Sequence, residues 1–170
     1  MAQASAGFDP RALRIGYGVD VHAFAPDRKL IIGGVEIEHR QGLDGHSDAD
    51  VLTHAIMDAL LGAARAGDIG KLFPPDDPAY EGADSIALLK RVSETIVGLG
   101  YEIIDVDSVI AAQAPKLSPH RDAMRTRLAE AMGVDIEQVG VKATTTEHLG
   151  YEGREEGITA YATCLLLRCS

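Results

Sequence analysis

The sequence predicts an α/β chain of the α+β kind: a mixed four-stranded sheet with helices packed on one face, plus a small β-hairpin. Three observations carry this. Apolar residues alternate in extended runs near both ends of the chain, and they recur at helical spacing in three internal segments. The resulting order is β, hairpin, α, α, β, α, β, β, an imperfect alternation that favours a mixed sheet with helices on one side.

Ile15, Tyr17, Val19 and Val21 alternate along the first strand. "KLIIGGVEI" follows, two apolar runs split by Gly33-Gly34, the pattern of a hairpin with a tight turn. In "HSDADVLTHAIMDALLGAARAGD", Ser47 with Asp50 three residues on reads as a capping-box-like start. Val51, Leu52, Ala55, Ile56, Ala59, Leu60 and Ala63 then recur at helical spacing. A loop over 67–82, rich in Gly, Pro and Asp, is long for a compact domain, and long ordered loops are often functional. A second helix runs from about Asp84 to Leu99 and stops at Gly100. "YEIIDVDSVIAAQ" is a strand, "APKLSPH" a turn, and a third helix has Ser118 as cap, Pro119 first and Gly133 as its stop. The strand "VGVKATT", the loop "TEHLGYEGREEG" and the strand "ITAYATCLLLR" complete the chain.

With 170 residues, 46% apolar and 25% charged, the chain suits one soluble domain, over 13–170, preceded by a disordered tail or linker over 1–12. The first dozen residues lack the basic start and apolar middle of a signal peptide. No run of about 18 apolar residues exists, which argues against a membrane partner. A net charge of −10 argues against nucleic acid, so phosphates must be handled locally, with metal ions, amides and a few bases. Cys164 and Cys169 form no CxxC pair, and two free thiols suit the cytoplasm.

Asp20 and His22 sit at i and i+2 on the first strand, so both side chains leave on one face and Val19 and Val21 on the other. That is either a solvated strand end or two-thirds of a metal site. Asp50, His54 and Asp58 stand at i, i+4 and i+8 on the first helix, one polar stripe. Asp20, His22 and His54 together make a donor set that suits Zn²⁺ with a fourth position open. Spacing alone does not show that strand and helix meet. His46 and Ser47 lie at the helix start, where amides favour an anion; Ser47 is a cap, and a cap serine can also touch a phosphate. In "GDIGKLFPPDDP", Asp68 suits a sugar hydroxyl. Lys142, Thr144, Thr145, Glu147 and Arg154 read either as a phosphate grip, with Glu147 on Mg²⁺ or Mn²⁺, or as ordinary polar residues at a strand end.

"RIGYGVDVHAF", "LIIGGVEI", "GLDGHSDADVLTHAIMDALLGAA", "GDIGKLFPPDDP", "GADS", "AQAPKLSPH" and "VKATTTEHLGYEGREEGI" resemble, in order and spacing, the 2-C-methyl-D-erythritol 2,4-cyclodiphosphate synthase family of the non-mevalonate isoprenoid pathway. The resemblance runs from about Leu13 to Leu167. It implies that 4-diphosphocytidyl-2-C-methyl-D-erythritol 2-phosphate is cyclised, its 2-phosphate attacking the β-phosphorus as CMP leaves. By that resemblance, Asp20, His22 and His54 would hold Zn²⁺, and Glu147 a second ion, Mg²⁺ or Mn²⁺, bridging the diphosphate. His46 and Thr145 would stabilise the transition state. Substrate contacts would come from Asp20, Val21, His22, His46, Ser47, Asp68, Ile69, Gly70, Phe73 and Asp77. Others would come from Ala112, Pro115, Lys116, Leu117 and Ser118, which receive the cytidine, and from Thr144, Thr145, Thr146, Glu147, Tyr151 and Arg154.

The family implies a homotrimer with active sites between subunits. Pro75 before Asp76 and Asp77, Glu81 after Tyr80, and Glu155 after Arg154 depart from its usual pattern. These changes bear on the loop and on the trimer's central channel, not on the metal set. Two other classes compete: a zinc-dependent phosphohydrolase, for which no "HExxH" or comparable base motif is present, and a non-catalytic nucleotide-binding module.

Overall fold

The computed structural model describes residues 9–74, 76–80 and 82–169; the departures at Pro75 and Glu81, and the tail residues 1–8, lie outside them. Pro10–Ala12, within the segment read as a tail, form a 3₁₀ turn capped by Asp9. It leads into β1 (Leu13–Ala25).

β2 (Leu30–Ile32) and β3 (Val35–Ile37) pair as the expected hairpin. Gly33 and Gly34 both have positive φ, 58° and 69°, the two-residue turn that glycine adopts without Cβ strain. β4 (Gly42–Leu43) then pairs with the end of β1. The helices are α1 (Val51–Ala64), the short α2 (Ile69–Leu72), α3 (Ser85–Gly98), α4 (Arg121–Met132) and the short α5 (Gly150–Gly153). β5 (Tyr101–Ala111), β6 (Val139–Thr144) and β7 (Gly157–Arg168) complete the sheet.

The sheet order is β4-β1-β7-β5-β6, with only β5 and β6 parallel. It is therefore five-stranded rather than four-stranded. The extra strand, β4, has two residues, too few to show a period. The helices cover one face, against the buried row Ile158, Ala160, Ala162, Cys164 and Leu166 of β7. Cys164 is buried on that row, whereas Cys169 is exposed beyond the strand's end, and both are free.

α1 lies unusually close to β1. A Cβ on Gly16 would fall 1.8 Å from the Ala59 carbonyl oxygen, and one on Gly18 would fall 2.1 Å from that of Ala55. Only glycine in the strand and alanine in the helix allow this approach, and it brings His54 down onto the strand.

The polar stripe of α1 is not solvated. Twelve of its fourteen residues are buried, because sheet, hairpin and α3 surround it. Asp50, not Ser47, is the cap: its carboxylate accepts from Thr53 N, while Ser47 Oγ, outside the helix, accepts from Ala49 N. Likewise Ser118 opens a 3₁₀ turn (Ser118–His120) rather than capping α4. Among the described residues no helix is long and apolar enough to cross a membrane.

Candidate metal centre and active-site pocket

Asp20, His22 and His54 converge. Asp20 Oδ2 lies 3.0 Å from His22 Nε2 and 3.0 Å from His54 Nδ1, and the two ring nitrogens stand 3.4 Å apart. Four ligands placed tetrahedrally about 2.0–2.1 Å from a zinc ion stand about 3.3 Å from one another. The second nitrogen of each ring is already engaged. His22 Nδ1 donates to the Asp44 carbonyl, and His54 Nε2 lies 3.0 Å from Ser85 Oγ and 3.2 Å from Ser47 Oγ. The inward atoms are then two imidazole lone pairs and a carboxylate oxygen, three acceptors facing each other. Such a set calls for a cation, and one carboxylate with two imidazoles can hold a metal ion.

A proton on either ring is the alternative to a metal ion, and the group draws positive charge to this point in either case. Burial would push the Asp20 carboxyl up, but hydrogen bonds and charge from His22 and His54 hold it well below the usual carboxylate range. Burial would lower His22, yet Asp20 and the Asp44 carbonyl outweigh it and raise its pKa.

This group forms one end of a cavity of about 300 Å³. Of the residues predicted to bind substrate, His46, Ser47, Ile69, Gly70 and Phe73 line it as well. His46 is exposed at its mouth. Asp68 caps α2 through Lys71 N, and Asp77 accepts from Ala79 N, beside the pocket rather than in its lining. Val21 turns its side chain to the opposite, open face of β1, so only its backbone stands on the pocket's side.

The other predicted contacts form a second cluster. The register places Val21, Thr159, Ala111 and Thr144 in one row across β1, β7, β5 and β6. Thr144 thus stands about 14 Å from β1, three strand spacings. Beyond it, Thr145 Oγ1 donates to Glu147 Oε1 at 2.7 Å, and Thr146 Oγ1 to the Leu149 carbonyl at 2.6 Å. Ala112 N donates to the Thr144 carbonyl at 3.0 Å, which ties on the loop carrying a cis Pro115, the exposed Lys116 and the buried Leu117. Leu117 and Ser118 line a separate cavity of about 230 Å³. Lys142, read as part of the grip, is paired with Asp107, and Arg154 with Glu156 at 2.9 Å. The Tyr151 hydroxyl pairs with Thr159 Oγ1 at 2.6 Å. Among the described residues, the metal group and Leu117–Ser118 line two different cavities.

Met57, Tyr80 and Leu88 also line the pocket, helix and loop apolars that no sequence pattern sets apart from the core. Asp58, the third member of the polar stripe, has a half-buried carboxyl that accepts from Ile69 N at 2.8 Å, at the start of α2. Burial and the nearby charges of Asp68 and Asp20 push its pKa up.

A model of the YgbB family matches residues 13–167. The chain belongs to the YgbB family. A YgbB-family relative from Synechococcus elongatus, named 2-C-methyl-D-erythritol 2,4-cyclodiphosphate synthase, is 58% identical over 155 residues, 91% of this chain and 97% of that one. One of the same name from Moorella thermoacetica is also 58% identical, over 91% of this chain and 95% of its own. Among solved structures, the CDP complex of IspF from Plasmodium falciparum has a TM-score of 0.81 at 33% identity, covering 93% of this chain and 97% of that one. The bifunctional IspDF of Campylobacter jejuni reaches 0.89 at 42% identity, over 92% of this chain and 42% of that longer protein.

Proposed function

We propose that this YgbB-family chain is a cyclodiphosphate synthase: it converts 4-diphosphocytidyl-2-C-methyl-D-erythritol 2-phosphate to 2-C-methyl-D-erythritol 2,4-cyclodiphosphate and CMP, in isoprenoid precursor synthesis. The observation that carries this is the Asp20–His22–His54 group at the end of a pocket, in a chain 58% identical to proteins named for that activity.

Cyclisation consumes no water, so the site's task is charge and geometry. Two anionic phosphates must approach, and their repulsion in a partly desolvated pocket must be offset by cations and aimed donors. Bound at Asp20, His22 and His54, zinc would supply Lewis acidity and a template for phosphate oxygens, with Mg²⁺ or Mn²⁺ at Glu147 doing the same for the diphosphate. Ser47 Oγ accepts from Ala49 N, which leaves its hydrogen free for a phosphate oxygen. His46, at the mouth, and Thr145 offer donors to the charge that develops on phosphorus. Asp68 orients the sugar hydroxyls. The pocket walls hold the flexible chain folded with its ends together. A hydrolase would need a base that activates water on the metal; among the described residues that line the pocket, His46 is the one such group outside the metal set.

The active unit is a homotrimer in this reading. β1 leaves Ile15 and Tyr17, 72% and 62% exposed, on open surface with Val19 and Val21, an apolar row that suits a second copy. The cluster from Ala112 to Ser118 and Thr144 to Glu147 would then face the metal pocket of a neighbour. Sedimentation is expected to give three times the chain mass, and Tyr17→Glu to reduce it; a monomeric wild type would sink the shared site. The free thiols Cys164 and Cys169 and the lack of a membrane-spanning helix among the described residues support a cytoplasmic enzyme.

Phosphorus NMR of the cytidyl substrate with enzyme, Zn²⁺ and Mg²⁺ tests the proposal. Two cyclic-diphosphate resonances appearing together with CMP are expected. A linear phosphate product would mean hydrolysis instead, and an unchanged substrate a binding module.

A further inference from the structure

We propose that Asp48 and Ser85 are positioning residues: Ser85 Oγ, oriented by the Asp48 carboxylate, fixes His54 in the tautomer whose Nδ1 lone pair faces Asp20 and His22. The proposal rests on the reading of those three residues as a metal centre. It gives the "GADS" segment, residues 82–85, a chemical role.

Ser85 is the first residue of α3 and is fully buried. Both its donors go to one carboxylate: its N donates to Asp48 Oδ2 at 3.0 Å, and its Oγ donates to Asp48 Oδ1. A hydroxyl has a single hydrogen. With that hydrogen on Asp48, Ser85 Oγ can only accept from His54 Nε2, 3.0 Å away. Nε2 therefore carries the ring proton and Nδ1 the lone pair. Nδ1 is the nitrogen 3.0 Å from Asp20 Oδ2.

Ser47 Oγ adds a second acceptor, 3.2 Å from Nε2. It differs from Ser85 in being only half-buried and at the pocket wall, where it can still meet a ligand. Asp48 is itself held: its N donates to the Ala83 carbonyl at 3.2 Å, and Gly82 N donates to the His46 carbonyl at 2.9 Å. Its Oδ1 also accepts from Asp50 N at 3.3 Å. The segment 46–50 and the start of α3 thus form one stapled wall behind His54. The other histidine is fixed by a backbone carbonyl, that of Asp44, which substitution cannot remove. The His54 side can be tested by mutation.

Two variants make different changes. Ser85→Ala deletes the acceptor. Asp48→Asn keeps shape but reverses the relay. The amide oxygen must stay on Ser85 N–H, which leaves the NH₂ facing Ser85 Oγ. Ser85 Oγ then accepts from Asn and donates to His54 Nε2, which puts the proton on Nδ1, where a metal would bind.

The experiment has two readouts on purified protein. Nitrogen-15 NMR of the metal-free protein, at an alkaline pH where the rings are neutral, reports the His54 tautomer, and zinc affinity is measured by competition with a chromophoric chelator. Expected are a dominant Nε2–H form in the wild type, a mixture in Ser85→Ala and a dominant Nδ1–H form in Asp48→Asn. Zinc affinity is expected to fall by about 10–100-fold in both variants, the usual effect of losing a group that orients a metal ligand. An unchanged tautomer, or zinc affinity within about twofold of wild type in both variants, would overturn the proposal. A wild type that takes up no zinc would overturn the metal reading instead, and the tautomer measurement, made without metal, separates the two failures. If Ser85→Ala does not fold, Asp48→Asn, which keeps volume and gives up only the 3.3 Å contact from Asp50 N, still decides it.

Discussion

Replacing Asp20 by asparagine is expected to remove zinc from the protein and to slow cyclisation by about 10³-fold or more, from a lost Lewis acid worth several kcal/mol at 1.36 kcal/mol per tenfold. Asp20 is the anionic member of the group, and both histidines aim at its Oδ2 from 3.0 Å. Asparagine keeps the volume but not the charge, and its NH₂ cannot ligate a metal. It also leaves two imidazole lone pairs, on His22 Nε2 and His54 Nδ1, facing each other at 3.4 Å with no anion to balance a cation between them. Treating the wild type with a chelator is expected to give the same loss, and added zinc to restore the wild type but not the variant. Metal content by atomic emission and product formation by phosphorus NMR read the two effects separately. Full turnover by a variant that carries no zinc would remove the metal from the chemistry and leave the charge on phosphorus to His46 and Thr145.

The half of this centre that lies on β1 was legible in the sequence because a strand's period is two: Asp20 and His22 must share a face. The meeting with His54 was not legible. It depends on Gly16 and Gly18 lacking a Cβ where Ala59 and Ala55 present their carbonyls, a fit between segments about 40 residues apart. Asp50 misled in an instructive way. A stripe at i, i+4 and i+8 is solvated only if the helix has an open side, and α1 has none, so Asp50 became an anchor instead. The S-x-x-D pattern at Ser47 suggested a cap. Asp50 takes that role because only its carboxylate reaches both the first turn of the helix and the hairpin amides. The hairpin, the three long helices and the four long strands carried clear periods and stand in the expected order, with α1 and α4 starting three and two residues later than the cap patterns at Ser47 and Ser118 suggest. β4, with two residues, carried none. Asp48 and Ser85 are 37 residues apart and acquire a shared role only when folding joins them.

The stability of the fold is expected to hinge on Asp50 as its catalysis hinges on Asp20. The Asp50 carboxylate is fully buried and accepts four hydrogen bonds: from Gly33 N at 2.8 Å, Gly34 N at 2.7 Å, Thr53 N at 3.0 Å and Thr53 Oγ1 at 2.8 Å. The two glycine amides belong to the hairpin turn, whose positive φ angles point them inward at the cap of α1. Asp50→Ala leaves these four donors in a dry site, each worth about 1–3 kcal/mol when unpaired, before water and relaxation recover a part. A net loss of about 3–5 kcal/mol is expected, the range for breaking a buried polar network. Asp50→Asn is expected to recover only part of it, because one acceptor becomes a donor facing a donor. Burial pushes the Asp50 carboxyl up from the usual range, against the pull of its four donors. A carboxyl with a higher pKa folded than unfolded holds its proton more tightly in the native state. The stability it contributes is thus fullest at acid pH and declines as the pH rises between the two values. The gap between wild type and Asp50→Ala in urea denaturation should therefore narrow as the pH rises through that interval. A loss under about 1 kcal/mol at every pH would show that the hairpin is held by apolar packing of Leu30, Ile32 and Ile37 alone, and that the carboxylate is incidental.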